Sequence, residues 1–314
     1  MIDHLSDTWH ARDGWPLRRA RFAPEQGSGK GLRGSLLFLA GRGDHMEKYA
    51  ETMDHWAKAG WAVESFDWRG QGGSGRLSDD PLLGHVENFD SWLDDLEAYA
   101  AEWRDRTSPP HVMIGHSMGG HLLTRTLGEG RVTADAAVLV APMFALHAVG
   151  LPRGLAHSIV RAMCATGGAK RPLWSPRRRS RGLDRTIRKT LTHSEQRYEQ
   201  ERKIRRERPE LVMDAPSWGW LRAAFVSNAR LEEAGFLEGI ETPMLILATR
   251  GDRLVSTPEI VRMARRLPHG QVHVYGRAVG HEILREVDRV RDDALARIDA
   301  FLAANAPARR GAPA

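Results

Sequence analysis

Gly115-His116-Ser117-Met118-Gly119 is a G-x-S-x-G pentapeptide set between an apolar run, HVMIG at 111–115, and a helical pattern, MGGHLLTRTL at 118–127. A serine on such a sharp strand-to-helix turn is held in a strained conformation with its hydroxyl exposed above a sheet. Flanking glycines remove the Cβ atoms that would clash there. The chemistry on offer is nucleophilic attack by Ser117 on a carbonyl carbon; the competing reading is a serine that only caps a helix. A hydroxyl is a weak nucleophile unless a base with a pKa near neutrality takes its proton, which makes histidine the natural partner. His273 falls inside the strand pattern QVHVY and His269 precedes it, whereas His281 follows it after a loop that runs from Gly276 to Gly280. Ligands of open α/β sheets gather beyond the carboxyl ends of the strands, so His281 is the expected base. Asp252, just past the apolar run PMLILAT, is the expected acid that orients the imidazole, with Glu259 the weaker alternative. A developing oxyanion needs two preorganised N–H donors. The backbone of Met118, next to the nucleophile, supplies one, and Arg42 in Gly41-Arg42-Gly43 is the choice for the other. The Arg42 side chain faces either a substrate phosphate or solvent.

These residues must be positioned by a regular framework, and the hydropathy pattern supplies one. Residues 9–22 read as a hairpin turning at Asp13-Gly14. Short apolar runs at 34–41, 61–67, 111–115 and 136–142 alternate with helical spacing at 46–59, 89–104 and 118–127. Alternation with short links is the mark of βαβ units on a parallel sheet. The rhythm breaks between about 143 and 235 and resumes with strands at 243–249 and 271–275 and helices at 257–267 and 285–303. The expected architecture is α/β: a mostly parallel sheet with helices on both faces, formed by 1–142 and 236–314, and an Arg-rich helical cap inserted over 143–235.

The chain has 314 residues, 41% of them apolar and 27% charged, which excludes a disordered chain, a collagen and a disulfide scaffold. Cys164 is the sole cysteine, so no internal disulfide forms and a reducing compartment is expected. No run reaches the roughly 18 apolar residues of a membrane span. The start, MIDHLSDTWHARDGW, lacks the basic and apolar regions of a secretory signal. The expected location is the cytoplasm, with peripheral attachment to the inner membrane as an option. Charge is unevenly placed. Residues 170–208 carry 15 Lys and Arg against five acids, a net +10 in a protein whose total is +6. Such a focused field attracts an anionic partner, here the surface of an anionic membrane; the alternative is a solvated helical face with i,i+4 pairs such as Glu201–Arg205. No aromatic-interleaved RNA motif stands out, so nucleic acid is not an expected partner. No His/Cys/Asp cluster has metal-ligand spacing. The glycine-rich RGQGGSGR lacks both the lysine of a P-loop and the G-x-G-x-x-G pattern, so no cofactor is expected.

The stretches GRGDHMEKYAE, FDWRGQGGSGRLSDDPLLGHVENFDSWLDDL, GHSMGG, LTHSEQRY and GHEILRE, spread over residues 41 to about 286, resemble the α/β-hydrolase superfamily of serine hydrolases. The resemblance is to its branch of monoacylglycerol lipases and bacterial lysophospholipases. GHSMGG alone marks the superfamily, while LGHVENFDSWLDDL and LTHSEQRY are much narrower. The chain order Ser117, Asp252, His281 is that of the superfamily. Ala40-Gly41 stands where the branch usually has His-Gly. The resemblance implies hydrolysis of single-chain lipid esters, lysophospholipid or monoacylglycerol, through an acyl-enzyme on Ser117. Trp174, Trp218 and Trp220 of the cap are candidates for lining an acyl tunnel, or form the cap's own small core. Two other readings remain open at this level: an acyltransferase using the same acyl-enzyme, and a non-catalytic membrane- or RNA-binding protein on a hydrolase fold.

Overall fold

The computed structural model describes residues 5–24, 32–147, 153–174 and 188–308. Its centre is one eight-stranded sheet. In chain order the strands are β1 (Ser6–His10), β2 (Pro16–Phe22), β3 (Gly34–Leu39), β4 (Trp61–Phe66), β5 (His111–His116), β6 (Ala136–Val140), β7 (Met244–Thr249) and β8 (Gly270–Tyr275). They lie in the order β1-β2-β4-β3-β5-β6-β7-β8. Only the leading hairpin is antiparallel, β1 to β2 and β2 to β4, and the other neighbours are parallel. Gly14 makes the hairpin turn with φ 82°, a left-handed backbone that glycine adopts without penalty.

Every residue of β3, β5, β6 and β7 is buried. That is why these strands read as continuous apolar runs rather than alternating ones: both faces are covered by helices. Leu37, Leu39 and Met113 share one core with α2 (Asp90–Arg106), α3 (Met118–Gly128) and the helix Thr257–Ala264. Leu36, Phe38 and Ile114, one residue out of step, share the other with α1 (Ala50–Lys58) and the C-terminal helix Asp288–Asn305. The period of two in a strand thus divides one apolar run between two layers.

Between β6 and β7 the chain forms α4 (Arg153–Met163), α5 (Glu195–Glu207) and α6 (Trp218–Glu232). Ser194 and Ser217 cap α5 and α6 by accepting the backbone N–H of Arg197 and of Trp220. The insert does not stand apart from the sheet domain. Trp220, Ala223, Ala224 and Leu231 of α6 are buried in the same core as α2 and α3. Ser227 of α6 also meets the His121 ring at 2.6 Å and accepts from Arg125 at 2.6 Å. After β7 and β8, α7 (Thr257–Ala264) and α8 (Asp288–Asn305) complete the layers.

The acidic and basic residues of Asp67-Trp68-Arg69 tie loops together. The buried Asp67 carboxylate accepts from Arg18, from the Met46 N–H and from the Gly73 N–H. Arg69 pairs with Asp13 and Asp95. No helix among the described residues is long and apolar enough to cross a membrane.

Candidate active site

Ser117 sits at the junction of β5 and α3 with φ 51° and ψ −115°. A non-glycine residue with positive φ is uncommon and costs on the order of 1–3 kcal/mol, so the surroundings must enforce it. They do so through contacts that only glycine permits. A Cβ on Gly115 would lie 2.6 Å from the Gly120 nitrogen, and one on Gly119 would run into the carbonyl oxygens of Leu39 and Ala40. The tight turn lifts the Ser117 side chain above the carboxyl end of the sheet, and Ser117 N–H and C=O are taken by Val140 and Met143.

His281 arrives from the loop after β8 and Asp252 from the loop after β7. The Ser117 hydroxyl lies 2.9 Å from His281 Nε2, and His281 Nδ1 lies 2.6 Å from Asp252 Oδ2. With the imidazole neutral, Ser117 O–H donates to Nε2 and Nδ1–H donates to the carboxylate. Asp252 Oδ1 accepts the N–H groups of Leu254 at 2.8 Å and Val255 at 3.0 Å, which fixes the acid. Burial works against charge on both partners, but their mutual attraction outweighs it. The Asp252 carboxyl is held below its ordinary value and the His281 imidazole above its own. The alternative acid lies elsewhere in its bonding: Glu259 pairs with Arg262 on its own helix. His269 meets Glu241, and His273 packs edge-on against Tyr275.

The loop after β3 closes over the serine. A Cβ on Gly41 would come within 3.2 Å of Ser117 Cβ and 2.8 Å of Asp44 Oδ2. Gly41 N–H donates to Asp44 at 3.0 Å, and Gly43 N–H to the Gln71 side chain at 2.6 Å, so this loop is fixed before any substrate arrives. Asp44 is buried and also accepts from Lys48 at 2.6 Å and from the Tyr49 hydroxyl at 3.1 Å. Tyr49 in turn lies 2.8 Å from His116 Nδ1. Burial opposes ionisation of Asp44, but Lys48 and His116 beside it hold its carboxyl well below the usual range. Met118 occupies the first turn of α3, where backbone N–H groups lack helical partners. The Arg42 side chain is not a solvated loop group. Its Nη2 donates to the Asp214 carbonyl at 2.6 Å, its guanidinium stacks 5.2 Å from the Trp220 ring, and burial pushes its pKa down to about 10.

The three tryptophans of the insert have different settings. Trp220 is buried and lies 6.0 Å from Phe89, Trp218 is half-buried, and Trp174 is 53% exposed. The basic stretch is also divided. Arg197 is buried, pairing with Glu51 and Asp288, and Glu201 holds Arg285 and Lys48. Arg202, Lys203 and Arg206 are exposed. Arg177, Arg178, Arg179, Arg181 and Arg185 lie outside the described residues. Among the described residues, no group of three or more His, Cys, Asp and Glu could hold a metal ion.

Sequence reasoning passed over the buried tier beneath the triad: Asp44, Lys48, Tyr49, His116, Glu282 and Arg285. Nothing local announced them: Asp44 precedes the helical pattern of 46–59, Lys48 falls off its apolar positions Met46, Tyr49, Ala50 and Met53, and His116, Glu282 and Arg285 come from distant segments.

The sequence matches a family model described as "Serine aminopeptidase, S33" (Hydrolase_4) over residues 30–288. The chain belongs to this α/β-hydrolase family. It is 30% identical to lysophospholipase L2 of Escherichia coli strain K12 over 323 aligned positions, covering 96% of this chain and 91% of that protein. It is 26% identical to a probable lysophospholipase L2 of Haemophilus influenzae, covering 86% of this chain and 84% of the relative. Among solved structures, a soluble variant of monoglyceride lipase from Saccharomyces cerevisiae superposes with a TM-score of 0.77 at 19% identity, covering 98% of this chain and 96% of that one. A monoacylglycerol lipase from Paleococcus ferrophilus gives 0.64 at 20% identity, covering 91% and 98%. At these identities the structural matches establish the shared fold.

Proposed function

We propose that this carboxylic ester hydrolase releases fatty acid from single-chain lipids, lysophospholipid or monoacylglycerol, through an acyl-enzyme on Ser117. The observation that carries the reading is the unbroken line Asp252–His281–Ser117, with contacts of 2.6 and 2.9 Å. Ser117 Oγ attacks the ester carbonyl as His281 Nε2 takes its proton. The resulting oxyanion is met by the backbone N–H groups of Arg42 and Met118. The imidazolium, stabilised by Asp252, then gives that proton to the departing glycerol oxygen, leaving the acyl group on Ser117. Water, deprotonated by His281, attacks the acyl-enzyme; the acid leaves and the serine regains its proton. The relationship to lysophospholipases L2 supports a single acyl chain as the substrate's apolar part.

In this reading residues 143–235 act as a cap over a core of 1–142 and 236–314, and the cap meets the lipid surface. The insert exposes the apolar side chains Leu155, Ile159, Trp174 and Val226, and its exposed Arg202, Lys203 and Arg206 carry positive charge. Each basic residue near an anionic leaflet contributes about 1 kcal/mol. The cytoplasmic side of a membrane is the corresponding location. The test is a panel of lysophospholipids and monoacylglycerols, with released fatty acid identified by mass spectrometry, run on the wild type and on Ser117→Ala. Fatty acid release that needs Ser117 supports the proposal; no release from any member of the panel overturns it.

A further inference from the structure

The motif LTHSEQRY lies in the insert, far in sequence from any residue of the triad, yet the fold seats it against the loop that carries His281. The His281 N–H donates to the Thr190 carbonyl at 3.0 Å, and the Glu282 N–H to the Leu191 carbonyl at 2.8 Å. Thr192 Oγ1 donates to the Arg285 carbonyl at 2.7 Å, and Arg285 Nη2 returns a bond to the Arg197 carbonyl at 2.6 Å. Gly280, the residue before His281, touches this segment so closely that a Cβ there would lie 2.6 Å from the Leu191 oxygen.

At the centre is Glu286, whose side chain is fully buried. One carboxylate oxygen accepts the Gly280 N–H at 2.6 Å and meets the His193 ring nitrogen Nδ1 at 2.7 Å. The other accepts the His193 N–H and the Val287 N–H, each at 3.1 Å. A single carboxylate therefore joins two N–H groups of the base loop to a backbone N–H and a ring of the insert. All four contacts are made to oxygens that act as acceptors, a set the amide of glutamine cannot reproduce at its nitrogen. Backbone groups buried without a partner are costly, so this carboxylate is needed wherever the loop holds the conformation that aims His281 at Ser117.

We infer that Glu286 is a positioning residue for His281, and that the insert, through His193 and Thr190–Thr192, sets the register of the catalytic base. The inference rests on the acyl-enzyme reading above. It assigns the insert a part in turnover that is separate from holding the acyl chain.

The experiment uses the full chain and a short, water-soluble p-nitrophenyl ester, which needs little from an acyl site. Glu286→Gln, Glu286→Asp and His193→Ala are compared at a temperature where circular dichroism shows each folded. His193→Ala serves if the buried change prevents folding, since its side chain is 38% exposed. A misplacement on the order of 1 Å at a reacting group costs about 100-fold. The expected result is a kcat lowered about 10- to 100-fold in Glu286→Gln and less in His193→Ala, with KM within about two-fold of wild type. Glu286→Asp, which keeps the carboxylate, should recover part of the loss, and fluorophosphonate labelling of Ser117 should slow in step with kcat. Folded Glu286→Gln and His193→Ala proteins with wild-type kcat, or with losses confined to KM, overturn the clamp alone, provided Ser117→Ala is inactive. Wild-type turnover in Ser117→Ala overturns the reading of the site and the clamp with it.

Discussion

The rings of His116 and His281 lie 4.9 Å apart, centroid to centroid, but their environments drive them in opposite directions. Burial lowers the pKa of His116, whereas Asp252 overcomes burial at His281 and raises it. The neighbour of the nucleophile is thus kept neutral while the partner of Asp252 is prepared to hold a proton. In the proposed mechanism the pair separates one imidazole for structure from one for proton transfer.

This gives the sign of the pH dependence. In the proposed mechanism His281 acts as base only when neutral, and its pKa stands above the ordinary value of about 6.5. Hydrolysis of a soluble ester should therefore rise with pH through a midpoint above 6.5, a limb to be read from kcat/KM of the free enzyme. In Asp252→Asn that limb should move down and kcat should fall by on the order of 10⁴, because the imidazole loses the carboxylate that fixes its tautomer. Wild-type turnover in Asp252→Asn would move the role of the acid to another carboxylate, with Glu259 the first to test.

Ser117→Ala should fold as the wild type does and lose on the order of 10⁴-fold or more in kcat. A fluorophosphonate probe followed by peptide mapping should mark Ser117 and no other serine. Labelling that survives in the variant would remove Ser117 from the mechanism.

Gly41→Ala tests the loop over the serine. The new Cβ meets Asp44 Oδ2 at 2.8 Å and Ser117 Cβ at 3.2 Å, so the loop that bears the Arg42 N–H must shift. Loss of one oxyanion donor costs about 10²- to 10³-fold in kcat. Steady-state kinetics should show that loss in kcat with KM nearly constant; a loss in KM alone would place the Arg42 N–H outside the oxyanion site.

Lys48 tests the buried tier by stability rather than rate. It sits among Asp44, Glu201 and Glu282, at 2.6, 3.6 and 2.6 Å, and these carboxylates more than offset the effect of its burial and raise its pKa. Lys48→Met removes the cation and leaves the acids, which should cost about 3–5 kcal/mol in urea unfolding. A cost below about 1 kcal/mol, the range of exposed ion pairs, would show that water and Arg285 suffice.

Membrane docking is tested by flotation with vesicles. Binding should require anionic lipid and weaken with salt, as the Debye length falls from about 10 Å at 0.1 M to about 3 Å at 1 M. Reversing the exposed Arg202, Lys203 and Arg206 to Glu, or Arg177, Arg178 and Arg179 outside the described residues, should reduce binding and hydrolysis of membrane-embedded substrate. Hydrolysis of a soluble ester should stay near wild type. Equal loss on both substrates would make these residues supports of the fold.

The strand patterns at 34–41, 61–67 and 111–115 were legible because each strand is buried on both faces and flanked by helices of clear period. The candidate triad was read from a related signal: Ser117 directly follows β5, Asp252 lies just past β7, and His281 follows β8 after the loop 276–280. Other features depended on contacts between distant segments. Arg42 read as a loop arginine or a phosphate contact, since nothing local announces the Asp214 carbonyl 172 residues away. The basic stretch read as one field, although Arg197 and Glu201 turn inward to pair with acids and bases of the core. Trp174, Trp218 and Trp220 share a residue type but occupy exposed, half-buried and buried settings, a distinction set by tertiary packing.

The backbone bonds from His281 to Thr190 and from Glu282 to Leu191 bear on how such enzymes can be re-engineered. Chimeras that graft the insert of one hydrolase onto another are built on the premise that specificity travels with the graft and turnover stays with the host. Here the donor's segment would arrive holding the host's base. A graft that leaves 190–197 as host sequence would preserve the host's own seam, and one that replaces this segment would make rate and selectivity change together.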